Sequence, residues 1–248
     1  MNQETLKYLT RYVWWEKPDE IIKKNPLRVI ASAMRYANSV DSYKKLLEIG
    51  EYALKETLSK AQAGWFDKPS WHYWHYILYG LKTKIPPFPK RGFLQDSKDS
   101  KDSKDSKDSK DSSANSPFSG RLGSAKSAGE ISSNDSVPMI ADADIHTLLA
   151  TKLKAICYEA NYKDYLDIAN ILKHTSANLL EGLENVSKIF GEDYPLIQIL
   201  KRLAFFEDGD LYKLQQDDKI ILLQAIEATK PYFQPKTQEN ANCLNKPQ

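Results

Sequence analysis

The sequence predicts an all-α chain built as two helical modules around a connector. Apolar residues recur at helical spacing on both sides of a low-complexity stretch. Pro, Asn and Asp stand where helices should start, and Gly where they should stop. Strand-like patterning is confined to Val137–Ile140, which has room for at most one short strand.

The first module spans residues 1–92 and holds all five tryptophans of the chain. Thr5–Trp15 places Leu6, Leu9, Val13 and Trp14 on one helical face. Pro18 with Asp19 and Glu20 opens a second helix, because proline suits the first turn and acids favour the positive end of the helix dipole. Asn25–Pro26 repeats that signal before a buried stripe of Leu27, Ile30, Ala31 and Met34. Asp41 is expected to cap Tyr43–Ile49, with Gly50 ending it. Tyr52–Ala61 follows, and then Asp67 and Pro69 open Ser70–Tyr79, stopped by Gly80. The KIPPFPKR tail cannot continue as helix, since proline lacks an amide hydrogen and restricts the residue before it.

Residues 93–136 read as a disordered linker. From Asp96 the triplet Asp-Ser-Lys repeats five times without one apolar residue. Such a stretch has nothing to offset a backbone ordering cost of about 1–2 kcal/mol per residue. The second module, residues 137–248, carries helical stripes over Ile145–Glu159, Tyr162–Lys173, Ala177–Phe190, Leu196–Phe206 and Lys219–Thr229. Breaks are expected at His174–Ser176, Gly191, Asp208–Asp210 and Pro231, and the last dozen residues are expected to fray.

Charge separates the modules. Residues 1–92 carry a net +7 and residues 141–248 a net −4. Different partners, or partnership with each other, follow from that asymmetry. No apolar run approaches the roughly 18 residues of a membrane span. Cys157 and Cys243 fit no metal or redox spacing. A cytoplasmic protein without membrane partners is the expectation.

Residues 117–230 carry a further pattern. VPMIADADIHTLLATKLKAICYEANYKDYLDIANIL, then LLEGLENVSKIFG and LKRLAFFEDGDL, with PFSGRLG upstream, resemble the C-terminal part of AbiEii/AbiGii-type nucleotidyltransferase toxins. The resemblance implies that Lys152 and Asp164 or Asp167 stand at positions of the nucleotide site. Lysine there pairs with triphosphate, and aspartate positions a hydroxyl or helps hold a metal. In the first module, YVWWEKPDEIIKKNPLRVIASAMRYA, GWFDKPSWHYWHYILYG and PPFPKR resemble the small helical protein encoded beside such toxins, taken to be the antitoxin.

The catalytic core of that toxin family is missing. It needs Gly-Gly or Gly-Ser after a strand and then an Asp-x-Asp/Glu pair, whose two carboxylates share Mg²⁺ ions. Here Gly123–Ser124 is followed ten residues on by Asp135–Ser136–Val137, in which valine replaces the second acid. Asp142–Ala143–Asp144 comes too late and fits a cap for the helix at Ile145. No catalytic residue is therefore expected, and Lys152, Asp164 and Asp167 are vestigial positions.

His72 and His75 have a spacing that can chelate zinc, but no further ligands accompany them, and no metal is expected. The WHYWHY run can stack bases or fill a core. Trp71, Trp74, Tyr76 and Tyr79 are the candidate partner-binding residues, because amphipathic aromatics are enriched at interfaces. The expected function is a non-catalytic, antitoxin-like regulator of a bacterial toxin–antitoxin locus, fused to a truncated nucleotidyltransferase and free of cofactors. Its partners would be the cognate nucleotidyltransferase-type toxin, or operator DNA reached through residues 1–92. The alternative is a nucleotidyltransferase using Mg²⁺ and NTP with carboxylates from another chain; a third reading is a decayed frame.

Overall fold

The capping signals in the sequence become helix starts one after another. The computed structural model describes residues 2–90 and 144–234, and its regular structure is helical throughout: eleven α-helices and two short 3-10 turns among the described residues. The expected linker, the possible strand at 137–140 and the fraying tail lie outside the described residues.

The first stretch contains α1 (Gln3–Leu9), α2 (Pro18–Lys24), α3 (Pro26–Tyr36), α4 (Val40–Leu47), α5 (Glu51–Ser59) and α6 (Lys68–Tyr79). Asn2 Oδ1 accepts from the amide of Glu4, Asn25 Oδ1 from that of Arg28, and Asp67 Oδ1 from that of Ser70. Each bond satisfies an amide that has no partner inside its own helix. Gly50, at φ 92°, turns the chain between α4 and α5 in a region that only glycine enters freely.

The second stretch contains α7 (Ile145–Tyr158), α8 (Tyr162–His174), α9 (Leu179–Phe190), α10 (Leu196–Leu203) and α11 (Gln216–Phe233). Asn161 caps α8, and Asn178 with Glu181 closes a reciprocal capping box at α9.

Several expectations are corrected. Ser39, not Asp41, caps α4, accepting from the amide of Ser42; Asp41 lies inside the first turn, where its charge still favours the helix. The helix predicted over Thr5–Trp15 stops at Leu9, passes through a 3-10 turn at Thr10–Tyr12 and becomes extended at Val13. That change of backbone turns Trp14 out of the apolar stripe, and it is 74% exposed. Asp144 stands at the start of α7 without a capping hydrogen bond from its side chain. Pro231 does not break α11, which runs on to Phe233.

The two stretches fold as one compact unit with a shared core. α10 and α11 lie against α4 and α6. Tyr43 on α4 stacks on Trp74 of α6 at 5.4 Å and meets the ring of Phe233 of α11 at 5.6 Å. Its hydroxyl bonds to that of Tyr73, 2.8 Å away. The Trp74 indole donates to the carbonyl of Met34 at 2.8 Å.

Lys201 of α10 is fully buried at this junction. Its amine donates to the carbonyl of Arg35 and to Asn38 Oδ1, each at 2.9 Å. Burial pulls its pKa down to about 7, against a partial counter-effect from Asp67. From about pH 7 up to its ordinary value, the unfolded chain holds a proton on Lys201 that the folded chain does not, so folding stability rises with pH in that window. The rise should be up to about 3 kcal/mol between pH 7 and 9.5, at roughly 1.4 kcal/mol per unit. Urea unfolding at the two pH values should show it, and Lys201→Met should lose that increment.

Candidate functional site

The positions that the nucleotidyltransferase resemblance marks fall on α7 and α8, an antiparallel pair joined by the turn at Glu159–Asn161. Asn161 Oδ1 accepts from the amide of Lys163 at 2.9 Å, and Asp210 Oδ1 accepts from the amide of Tyr162 at 2.8 Å. Both bonds fix where α8 begins. Asp164 and Asp167, three residues apart, then share one face of α8. That face is turned toward Lys152.

Lys152 Nζ lies 2.8 Å from Asp164 Oδ1 and 2.8 Å from Asp167 Oδ2. The side chains are partly covered: 25% of Lys152, 22% of Asp164 and 46% of Asp167 is exposed. The hydrogen bond that Lys152 donates to Asp164, then that to Asp167, hold the lysine pKa above its ordinary value. The cluster carries one positive and two negative charges. As built, it repels a polyphosphate, and its lysine already has two counter-ions. A divalent ion would have to displace Lys152 to reach these carboxylates. Among the described residues, no group of three or more His, Cys, Asp and Glu side chains converges as a metal cage would require.

α7 is held rigidly behind this cluster. Leu149, Ala150, Leu153 and Ile156 are fully buried. Gly182 lets α9 come close: a Cβ there would stand 2.8 Å from Leu149 Cδ2 and 2.9 Å from Leu153 Cδ1. The cluster is thus displayed on a packed helix pair rather than on a loop.

The other sequence candidates are scattered. Trp71 and Trp74 are buried, at 3% and 0% exposure, and belong to the core. The Trp71 indole donates to the carbonyl of Pro86 at 3.0 Å, so the proline-rich tail folds back over α6. A partner surface therefore cannot be built on these two tryptophans. Tyr76 is half-buried, and Tyr79 is 44% exposed beside His75. His75 is buried and its Nδ1 bonds the carbonyl of Trp71 at 2.7 Å. His72 meets the ring of Phe205 at 4.9 Å and lies 3.7 Å from Glu207. Burial lowers the pKa of both histidines. They serve packing, one of them across the two halves.

Two features escaped the sequence reading. Lys201 carried a usable signal: in LIQILKRL it follows Ile197 by four residues, on the apolar stripe. The exposed group of Trp14, Trp15 and Tyr36 carried none, because helical periodicity assigned Trp14 to the interior.

Comparison with protein-family models, with curated proteins and with solved structures finds no match to this chain. No helix among the described residues is long and apolar enough to cross a membrane.

Two outcomes follow for the cluster. Lys152→Met leaves two neighbouring carboxylates without a counter-ion and should lower unfolding free energy by about 1 kcal/mol, less at high salt. Gly182→Val should lower it by about 1–3 kcal/mol through overpacking against Leu149 and Leu153. Chemical denaturation measures both.

Proposed function

We propose that this chain is a non-catalytic, antitoxin-like regulatory protein. In this reading the N-terminal half is antitoxin-like and the C-terminal half is a nucleotidyltransferase remnant that no longer turns over. The supporting observation is the closed cluster on α7 and α8: the lysine assigned to triphosphate is neutralised by the two aspartates assigned to the same site. To reach this lysine, a polyphosphate would have to break both ion pairs and approach two carboxylates. The shared core of the two halves agrees with this reading, since an antitoxin-like surface joined to a toxin-like one would fold against it. The partner is then an intact nucleotidyltransferase carrying the Gly-Ser…Asp-x-Asp core, or operator DNA.

One observation favours a second reading. Lys152, Asp164 and Asp167 come from two helices and still converge, as a nucleotide site would require. In that reading another polypeptide supplies the metal-binding carboxylates and Mg²⁺ draws the aspartates away from Lys152.

Incubating the full chain with labelled NTPs, Mg²⁺ and tRNA separates the two. No label transfer is expected from the chain alone, and none that depends on Lys152 when the product of the neighbouring reading frame is added. Transfer that disappears in Lys152→Ala would establish the second reading. Co-expressed with an intact nucleotidyltransferase from that frame, the chain should co-purify with it and reduce its transfer activity. Binding neither to that enzyme nor to operator DNA would defeat the regulatory reading and leave a decayed frame.

A further inference from the structure

The chain spends three of its five tryptophans on the core and leaves two outside. Trp14 is 74% exposed and Trp15 45%, and Tyr36 is exposed beside them. Their positions are fixed rather than trailing. Leu9 and Val13 anchor the incoming chain in the core, and Pro18 starts α2 just beyond. The ring of Trp14 lies 4.9 Å from that of Trp15, nearly perpendicular to it, and 5.7 Å from that of Tyr36. At such exposure one broad face of the Trp14 indole stands open.

Arg28 lies behind this corner, its guanidinium 5.1 Å from the Trp15 ring and 5.5 Å from the Trp65 ring. No carboxylate among the described residues pairs with it, and its Nη1 is buried without a hydrogen-bond partner. The neighbouring cations differ: Lys24 is paired with Glu16, and Arg35 with Asp67. An arginine held beside two indoles and lacking an acid offers its remaining guanidinium donors to an anion. The half of the chain that bears this corner carries a net +7.

We propose that Trp14, Trp15, Tyr36 and Arg28 form a docking surface for single-stranded nucleic acid, a base stacking on Trp14 and a phosphate meeting Arg28. Open aromatic faces beside unpaired arginine suit an unpaired strand, whose bases expose their π faces and whose backbone supplies the anion. Duplex DNA hides those faces. A folded protein partner would call for a wider apolar surround than one projecting corner. The proposal does not rest on the regulatory reading: it concerns the opposite half of the chain from Lys152, and either can fail alone.

The test uses the full chain and fluorescein-labelled oligothymidylate, oligouridylate of the same length, and a DNA duplex, read by anisotropy. A single strand should bind more tightly than the duplex, and whichever of the two binds better identifies DNA or RNA as the source. Trp14→Ala should weaken binding about tenfold or more, and Trp14→Tyr should restore most of it. Arg28→Gln should weaken binding and flatten its salt dependence by about one phosphate contact. Tyr52→Ala, at a tyrosine 82% exposed on α5, should change nothing. Equal affinity in wild type and Trp14→Ala, a preference for duplex, or no binding of either strand would overturn the proposal. Self-association lost in Trp14→Ala, without oligonucleotide binding, would also overturn it and give the corner to a second copy of the chain.

Discussion

The junction at Lys201 is the constraint from which the architecture follows. α3 ends at Tyr36 and leaves carbonyls without partners, among them that of Arg35. α10 begins after Pro195, which provides no capping side chain, and leaves amides without partners. Each helix solves the other's problem. The Lys201 amine reaches back to the Arg35 carbonyl and to Asn38 Oδ1, while the Asn38 carbonyl accepts from the amide of Ile197 at 3.1 Å. The two ends come from opposite sides of the low-complexity stretch, yet they cap one another. An amine desolvated this completely is tolerated only because oxygen acceptors surround it. The same requirement fixes the register of α10 against α3, and hence the seat of α11 against α4 and α6.

From α10 the order spreads to the Lys152 cluster. α10 and α9 both lie against α7, so the helix that carries Lys152 is clamped from behind. α8 is placed from the other direction: the Asp210 carboxylate takes its first amide, and the Tyr165 hydroxyl donates to the carbonyl of Arg202 at 2.8 Å. With both backbones fixed, one lysine and two aspartates are bound to meet. Their ion pairing is thus a property of the helix pair as packed in this chain.

Much of this was legible in the sequence, for a local reason. Helix starts depend on side chains that bond amides two or three residues away, so Asn25–Pro26, Asp67–Pro69 and Pro18 announce themselves. The misreadings are equally physical. Ser39 and Asp41 are both competent caps, and only the geometry of the α3–α4 turn chooses between them. Pro231 falls in the last turn of α11, where losing one amide and one carbonyl contact is outweighed by burying Phe233 against Tyr43. Lys201 stood on an apolar stripe, but its acceptors lie more than 160 residues away in sequence, beyond any local pattern. The cluster on α7 and α8 was marked residue by residue through a resemblance; its closure into ion pairs needed the fold.

The aromatic residues show how tertiary demand reassigns a surface. WHYWHY on α6 could stack bases or fill a core, and most of it fills the core. Here α6 is the element on which the second half settles. Trp74 holds the end of α3, Tyr73 holds α4 through Tyr43, and His72 meets Phe205 from α10's trailing loop. Contacts within the chain, from the first half as well as the second, occupy the face an external partner would have used. An external contact made by the N-terminal half is left the surface that α10 and α11 do not cover, which includes α1, α2 and the outer faces of α3 and α5. Trp14, Trp15 and Tyr36 stand there, and nothing in the shared core requires them to be aromatic. Aromatic surface that packing does not consume is a constraint of a different origin, and recognition is the physical role such side chains serve best.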